Sequence, residues 1–239
     1  YELGVHIADV SYYVKPKSEL DNEAIRRGTS VYYANRVIPM LPKELSNGIC
    51  SLNPQEDRLA FSALMKIDFE GALTDYKFAK TIIRSRVKGV YSEINTILAE
   101  TQKPEIDEKY KEVKASLKLM DELAKILKRN KKLRGAPELE TSESKLIIND
   151  DDFCIDVIPR SRGISEEIIE DFMLMANESA AKLARENELP FVYRIHEDPG
   201  VEKINTLEET LKLLGIAFPP HKNVKPKHLA QIVDSVKGT

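Results

Sequence analysis

The sequence predicts an α+β fold, a mixed and largely antiparallel sheet flanked by helices, and three observations predict it. Alternating apolar residues cluster early, in segments joined by tight turns, as in antiparallel hairpins. A long stripe at alternating spacings of three and four occupies the middle of the chain. Strands come first and helices follow, without the regular βαβ alternation of a parallel sheet. The 239 residues fit one large domain or two small ones, taking roughly 100–200 residues per domain, and the element order favours one domain, 1–239, with room for a helical subregion.

In residues 3–9, Leu3, Val5 and Ile7 alternate onto one face and Asp9 completes it. A carboxylate there has to be paired or ligated, unless it caps the turn at Val10-Ser11. Residues 19–28 read as a short helix ending at Gly28. Residues 59–69 alternate strongly, with Phe61, Ala63, Met65, Ile67 and Phe69 on one face. Glu70-Gly71 then turns into a strand carrying Tyr76, Phe78 and Ile82. Over 105–132 the residues Ile106, Tyr110, Val113, Leu117, Met120, Ala124 and Leu127 form one apolar stripe, predicting a single helix with Gly135 at its C-terminal cap. The basic cluster Lys128-Arg129, Lys131-Lys132 and Arg134 suits the negative end of that helix, or else contacts phosphate.

Lys145–Asn149 and Phe153–Ile158 read as a hairpin around Asp150-Asp151-Asp152. Aspartates favour such a turn for backbone reasons, and no further ligand follows at calcium-loop spacing. A helix is predicted from Ser165 to about Glu186, with Ile169, Phe172, Met173, Ala176 and Ala180 inward. Tyr193-Arg-Ile-His196 reads as a short strand, and helices are expected at 202–214 and 226–237.

Composition is that of an ordinary globular protein, 42% hydrophobic and 31% charged, with a net charge of −3 that by itself points to no polyanion partner. Cys50 and Cys154 are the only cysteines, which permits no disulfide framework and suits a reducing, cytoplasmic setting. No run of about 18 apolar residues suggests a membrane span. The chain begins in strand rhythm without an initiator methionine and closes on Val-Lys-Gly-Thr, so it is expected to be a piece of a longer protein.

The segment from Ser30 to Leu52 has a core's composition but can form neither a long helix nor a long strand. It holds Tyr32-Tyr33, Arg36 and an apolar run broken by Pro39 and Pro42. Long irregular segments in compact domains commonly bind something, and this one is too apolar for disorder. Its tyrosines either pack beneath the loop or stack nucleic-acid bases. The familiar catalytic signatures GxSxG, GxGxxG, the P-loop and HExxH are absent, and the four histidines share no metal-ligand spacing.

Several segments nevertheless carry a resemblance in one register over the whole chain. They include Ile7-Ala-Asp-Val-Ser-Tyr-Tyr-Val14, Arg27-Gly-Thr-Ser-Val-Tyr32, Val37-Ile-Pro-Met-Leu-Pro42, Leu45-Ser-Asn-Gly-Ile-Cys-Ser-Leu-Asn-Pro54, Ile168-Ile-Glu-Asp-Phe-Met173 and Tyr193-Arg-Ile-His196. The chain resembles the catalytic (RNB) domain of the ribonuclease II and ribonuclease R family of 3′→5′ exoribonucleases. The resemblance implies processive hydrolysis of single-stranded RNA to nucleoside 5′-monophosphates with Mg²⁺, in a parent whose OB-fold RNA-binding domains flank this region. The family's aspartate motif DxxxxxDxDD and its Ser-Pro-Ile-Arg-Arg-Tyr segment are not in this sequence, and Asp150–Asp152 does not match the motif's place. The Mg²⁺ ligands and catalytic arginine are therefore expected outside the chain, and the isolated chain is expected to be inactive.

What the resemblance carries over is an RNA channel. Tyr32 falls where the family stacks the 3′-terminal base, and Tyr91 and Glu170 fall where it distinguishes ribose from deoxyribose. Leu139 stands where a phenylalanine is usual, which implies weaker clamping of the last nucleotide. The alternative is a non-catalytic RNA-binding relative or scaffold.

Overall fold

A computed structural model describes residues 1–101, 103–137, 143–160, 162–195, 197–218 and 224–236. Two compact units emerge, one of Tyr1–Ala124 with Ser142–Ser179, the other of Lys125–Thr141 with Ala180–Thr239.

The first unit is built on the antiparallel sheet β1-β4-β5, with β1 at Glu2–Ala8, β4 at Asp57–Ile67 and β5 at Leu73–Arg84. Val5 stands opposite Ala63, and Ala63 opposite Phe78. The alternation of β4 buries Ala63, Met65 and Ile67, as the sequence predicts. Phe61 and Phe69, assigned to the same face, are instead exposed. Phe61 lies at the sheet surface stacked on Phe78 at 5.9 Å, and Phe69 lies past the strand end with its ring edge-on to Tyr1. Ile82, near the end of β5, is exposed as well. On the opposite face His6 Nδ1 lies 2.7 Å from the Ser62 hydroxyl, which lies 2.6 Å from that of Thr81.

Asp9 stands at the N-cap position of α1 (Val10–Tyr13) without a side-chain capping bond, and the pairing reading holds. It is buried and receives a hydrogen bond from the Ser11 hydroxyl at 2.7 Å at the start of α1. It also pairs with Lys80 at 3.1 Å on β5. Helix α2 (Glu19–Arg27) starts at the Ser18 cap and stops at Gly28, whose φ of +72° is the left-handed conformation glycine tolerates.

The predicted 105–132 helix is two helices, α4 (Pro104–Lys109) and α5 (Lys114–Leu133), preceded by α3 (Tyr91–Leu98). The break has a clear cause. Tyr110 is wholly buried, and its hydroxyl donates to Glu93 at 2.6 Å while accepting the Val90 amide at 3.0 Å. Satisfying that buried hydroxyl turns the chain at Tyr110, and the helix restarts at Lys114. The apolar stripe survives the bend, because Ile106, Tyr110, Val113, Leu117 and Met120 all join a cluster with Ile94, Ile97 and Leu98.

Strands β6 (Glu143–Ile148) and β7 (Cys154–Arg160) form the expected hairpin, with Asn149 accepting the Asp151 and Phe153 amides in the aspartate turn. Helix α6 (Ile164–Glu186) buries Ser165, Ile168, Asp171, Phe172, Ala176 and Ser179. Phe172 and Ala176 match the sequence reading, whereas Ile169 and Met173 are more than a third exposed. The buried stripe is rotated because Ser165 and Ser179 pack inward, each with its hydroxyl hydrogen-bonded.

The second unit holds the ends of α5 and α6 with α7 (Val201–Leu213) and α8 (Pro226–Val236), close to the predicted bounds. The expected strand at Tyr193 is not found: Tyr193–Ile195 pairs with no strand among the described residues, and His196 lies outside them. A strand needs a partner for its backbone groups, and here the Tyr193 ring packs edge-on against Phe191 instead. Gly135 has φ +88° and lies so close to α8 that a Cβ would come within 2.8 Å of the Lys227 backbone. Among the described residues no helix is long and apolar enough to cross a membrane.

Candidate nucleic-acid interface

The Ser30–Leu52 segment resolves into a short hairpin and a wide turn. Strands β2 (Val31–Tyr32) and β3 (Val37–Ile38) pair antiparallel, and the chain then coils through Glu44–Ile49, where the Cys50 amide donates to the Leu45 carbonyl at 2.9 Å. Tyr32 is 76% exposed, so the reading in which it packs beneath the loop is excluded. What holds it is largely polar: Ser30 Oγ accepts the Met40 amide at 2.9 Å, and Arg27 donates to the Pro39 carbonyl at 2.9 Å. Met40 and Leu41 are half-buried, while Ile38 is exposed on the hairpin. Arg36 covers the Tyr33 ring at 5.2 Å, leaving Tyr32 as the open ring of the pair. The hairpin turn is tied to the β6–β7 turn by a hydrogen bond from Asn35 to Asp152.

Tyr91 and Glu170 lie elsewhere in the same unit. Tyr91 opens α3, half exposed, at the edge of a cleft of about 280 Å³ lined by Gly89, Ile94, Leu117, Met120, Ile168 and Ile169. Glu170 lies in the second turn of α6, and its carboxylate is paired with Arg162. Glu170, Leu174 and Asn177 all lie outside the buried stripe. Sequence reasoning missed Arg162, which reaches its partner across the joint between loop and helix.

The starts of α3 and α6 are joined by a polar cluster. Asn95 Oδ1 accepts the Ser165 amide at 2.8 Å, and its Nδ2 donates to Glu166 at 3.2 Å. The Ser165 hydroxyl sits 3.1 Å from the Tyr91 carbonyl, and Glu166 also accepts the Gly163 amide at 3.1 Å. Partial burial pushes the Glu166 carboxyl up, but hydrogen bonds from Asn95, from its own amide, and from Ser165 and Gly163 hold it below the usual carboxylate range. No sequence pattern could have flagged Asn95, because its partners lie some 70 residues away.

Leu139 lies outside the described residues. Among the described residues no three His, Cys, Asp or Glu side chains gather as a metal site. The described residues therefore do not fit a Mg²⁺ ion.

The RNB domain family matches residues 1–239. Ribonuclease R 1 of Lactococcus lactis is 42% identical over all of this chain, and ribonuclease R of Thermotoga maritima is 42% identical over 99% of it. The chain covers 29% and 33% of those proteins, so it spans about a third of their length. Mycoplasma genitalium RNase R in complex with ribose-methylated single-stranded RNA superimposes with a TM-score of 0.92 at 30% identity, over 99% of this chain and 37% of that one. Yeast Ssd1, a pseudonuclease, shares the fold at a TM-score of 0.74 and 17% identity, over 99% of this chain and 28% of that one. With its antiparallel sheet, its exposed tyrosine hairpin and a match running from the first residue to the last, the chain belongs to the RNB domain family.

Proposed function

We propose that this chain is the RNA-channel portion of a cytoplasmic, Mg²⁺-dependent 3′→5′ exoribonuclease that hydrolyses single-stranded RNA to nucleoside 5′-monophosphates. The observation that carries this reading is the RNB match along the entire chain. The placement of the side chains supports it. Tyr32 offers an open ring on a braced hairpin, suited to a terminal base, since stacking tolerates any base. Tyr91 and Glu170 suit ribose recognition: a carboxylate accepts a hydrogen bond from a 2′-hydroxyl, and only RNA supplies that donor. Arg162 pairs with the Glu170 carboxylate and orients it.

Metal-assisted phosphodiester cleavage uses bound ions to activate water and neutralise phosphate charge. The described residues gather no set of acidic ligands for such ions, so this chain is assigned binding and orientation. The ligands are expected from the flanking sequence of the parent, together with its OB-fold domains. The test compares the isolated chain with the whole protein on a labelled oligoribonucleotide. The whole protein is expected to release mononucleotides and to stop on chelation of Mg²⁺, and the isolated chain to release none. Release by the isolated chain would overturn the assignment of its role. RNA binding without hydrolysis by the whole protein would make it a non-catalytic RNA-binding scaffold.

A further inference from the structure

Resting on the reading of Tyr91 and Glu170 as ribose readers, we infer that Asn95 is a positioning residue for sugar discrimination: its carboxamide clamps the start of the Glu170 helix to the helix opened by Tyr91. Neither putting two readers on separate helices nor burying their neighbours fixes the distance between them, and recognition of one hydroxyl tolerates only about 0.5 Å of misplacement. Asn95 supplies the constraint through both ends of its side chain, accepting the Ser165 amide at 2.8 Å and donating to Glu166 Oε2 at 3.2 Å. An amide alone among small side chains offers a donor and an acceptor on separate atoms. The Ser165 hydroxyl extends the clamp, 3.1 Å from both the Tyr91 carbonyl and Glu166 Oε2, its single proton serving one at a time.

The clamp has its own steric provision. A Cβ on Gly163 would collide with the Asn95 carboxamide, so glycine at the loop leading into α6 leaves the space that group fills. Ser165 is 4% exposed, which keeps water from replacing the amide as its partner. From Glu166 the helix advances one turn to Glu170, so a shift at the clamp is transmitted to the ribose reader by rigid helix geometry.

The test measures, in the whole protein, the ratio of kcat/KM for an all-ribose oligonucleotide to that for one with 2′-deoxyribose at its 3′-terminal positions. Asn95→Leu is expected to lower this preference about tenfold, the loss of the two hydrogen bonds. Asn95→Asp removes the donor and sets two carboxylates together, and is expected to do the same. Adding Glu166→Gln to Asn95→Asp reverses the direction of the bond and is expected to restore the preference. If both Asn95 variants leave the ratio unchanged while Glu170→Gln lowers it, the clamp is overturned and the ribose readers stand. If Glu170→Gln also leaves it unchanged, the underlying reading fails and the clamp with it. A loss that the double variant Asn95→Asp with Glu166→Gln does not restore would overturn the proposal.

Discussion

At Tyr32 and Leu139 the proposed contribution of single residues to holding RNA can be tested apart from folding. A ring 76% exposed on a hairpin fastened by Ser30 and Arg27 gains little for folding by its position. Its removal should therefore weaken binding and spare stability. Tyr32→Ala is expected to cost about 1–3 kcal/mol of affinity for a short RNA, roughly a 5- to 150-fold rise in Kd, with the melting temperature unchanged. Leu139→Phe restores a π face and is expected to act in the opposite direction. Anisotropy titrations at fixed salt check both, and unchanged affinities would remove the stacking account. The sequence offered Tyr32 as a candidate stacking ring and left its exposure open, since an aromatic pair beside prolines is equally compatible with a buried loop. Arg162 and Asn95 were illegible for a different reason. Each acts through a partner on another part of the backbone, and local spacing holds no record of that.

At the scale of elements, periodicity was informative about faces and silent about axes. The Ile106–Leu127 stripe named buried Tyr110, Leu117, Ala124 and Leu127 and half-buried Ile106, Val113 and Met120 but missed buried Leu123, and the chain bends at Tyr110 to satisfy one phenolic hydroxyl. Strands were legible where partners exist, as in β4 and β5, and over-read at Tyr193, where no described strand is available. The sheet has a pH signature. The Ser11 hydroxyl and the Lys80 ammonium hold the Asp9 carboxyl below the usual carboxylate range. A depressed folded-state pKa means this contribution is present above the unfolded value of about 4 and is lost as pH falls through the folded value. NMR titration of Asp9 should give a pKa below that of a free aspartate, and Lys80→Met should move it upward; no movement would contradict the pairing. In the second unit, Gly135→Ala is expected to destabilise by about 1 kcal/mol or more, because φ is +88° and the added Cβ meets the Lys227 backbone. Chemical denaturation should show the loss, and unchanged stability would contradict the close approach.

At the scale of the molecule, the α+β class and the RNB family were legible from strand alternation and from the Val37–Pro42 and Leu45–Pro54 motifs, and the division into two compact units was not. That division follows long-range contacts, with α5 and α6 each contributing to both units, so no linker composition announces it. The chain spans about a third of its ribonuclease R relatives, and its proposed part is the wall of a channel whose chemistry is completed elsewhere in the protein. One measurement tests that most directly. A 5′-labelled single-stranded oligoribonucleotide, followed over time with the whole protein and Mg²⁺, should shorten progressively from its 3′ end to a short labelled remnant while nucleoside 5′-monophosphates accumulate. Internal cleavage fragments, shortening from the 5′ end, or intact RNA would contradict it.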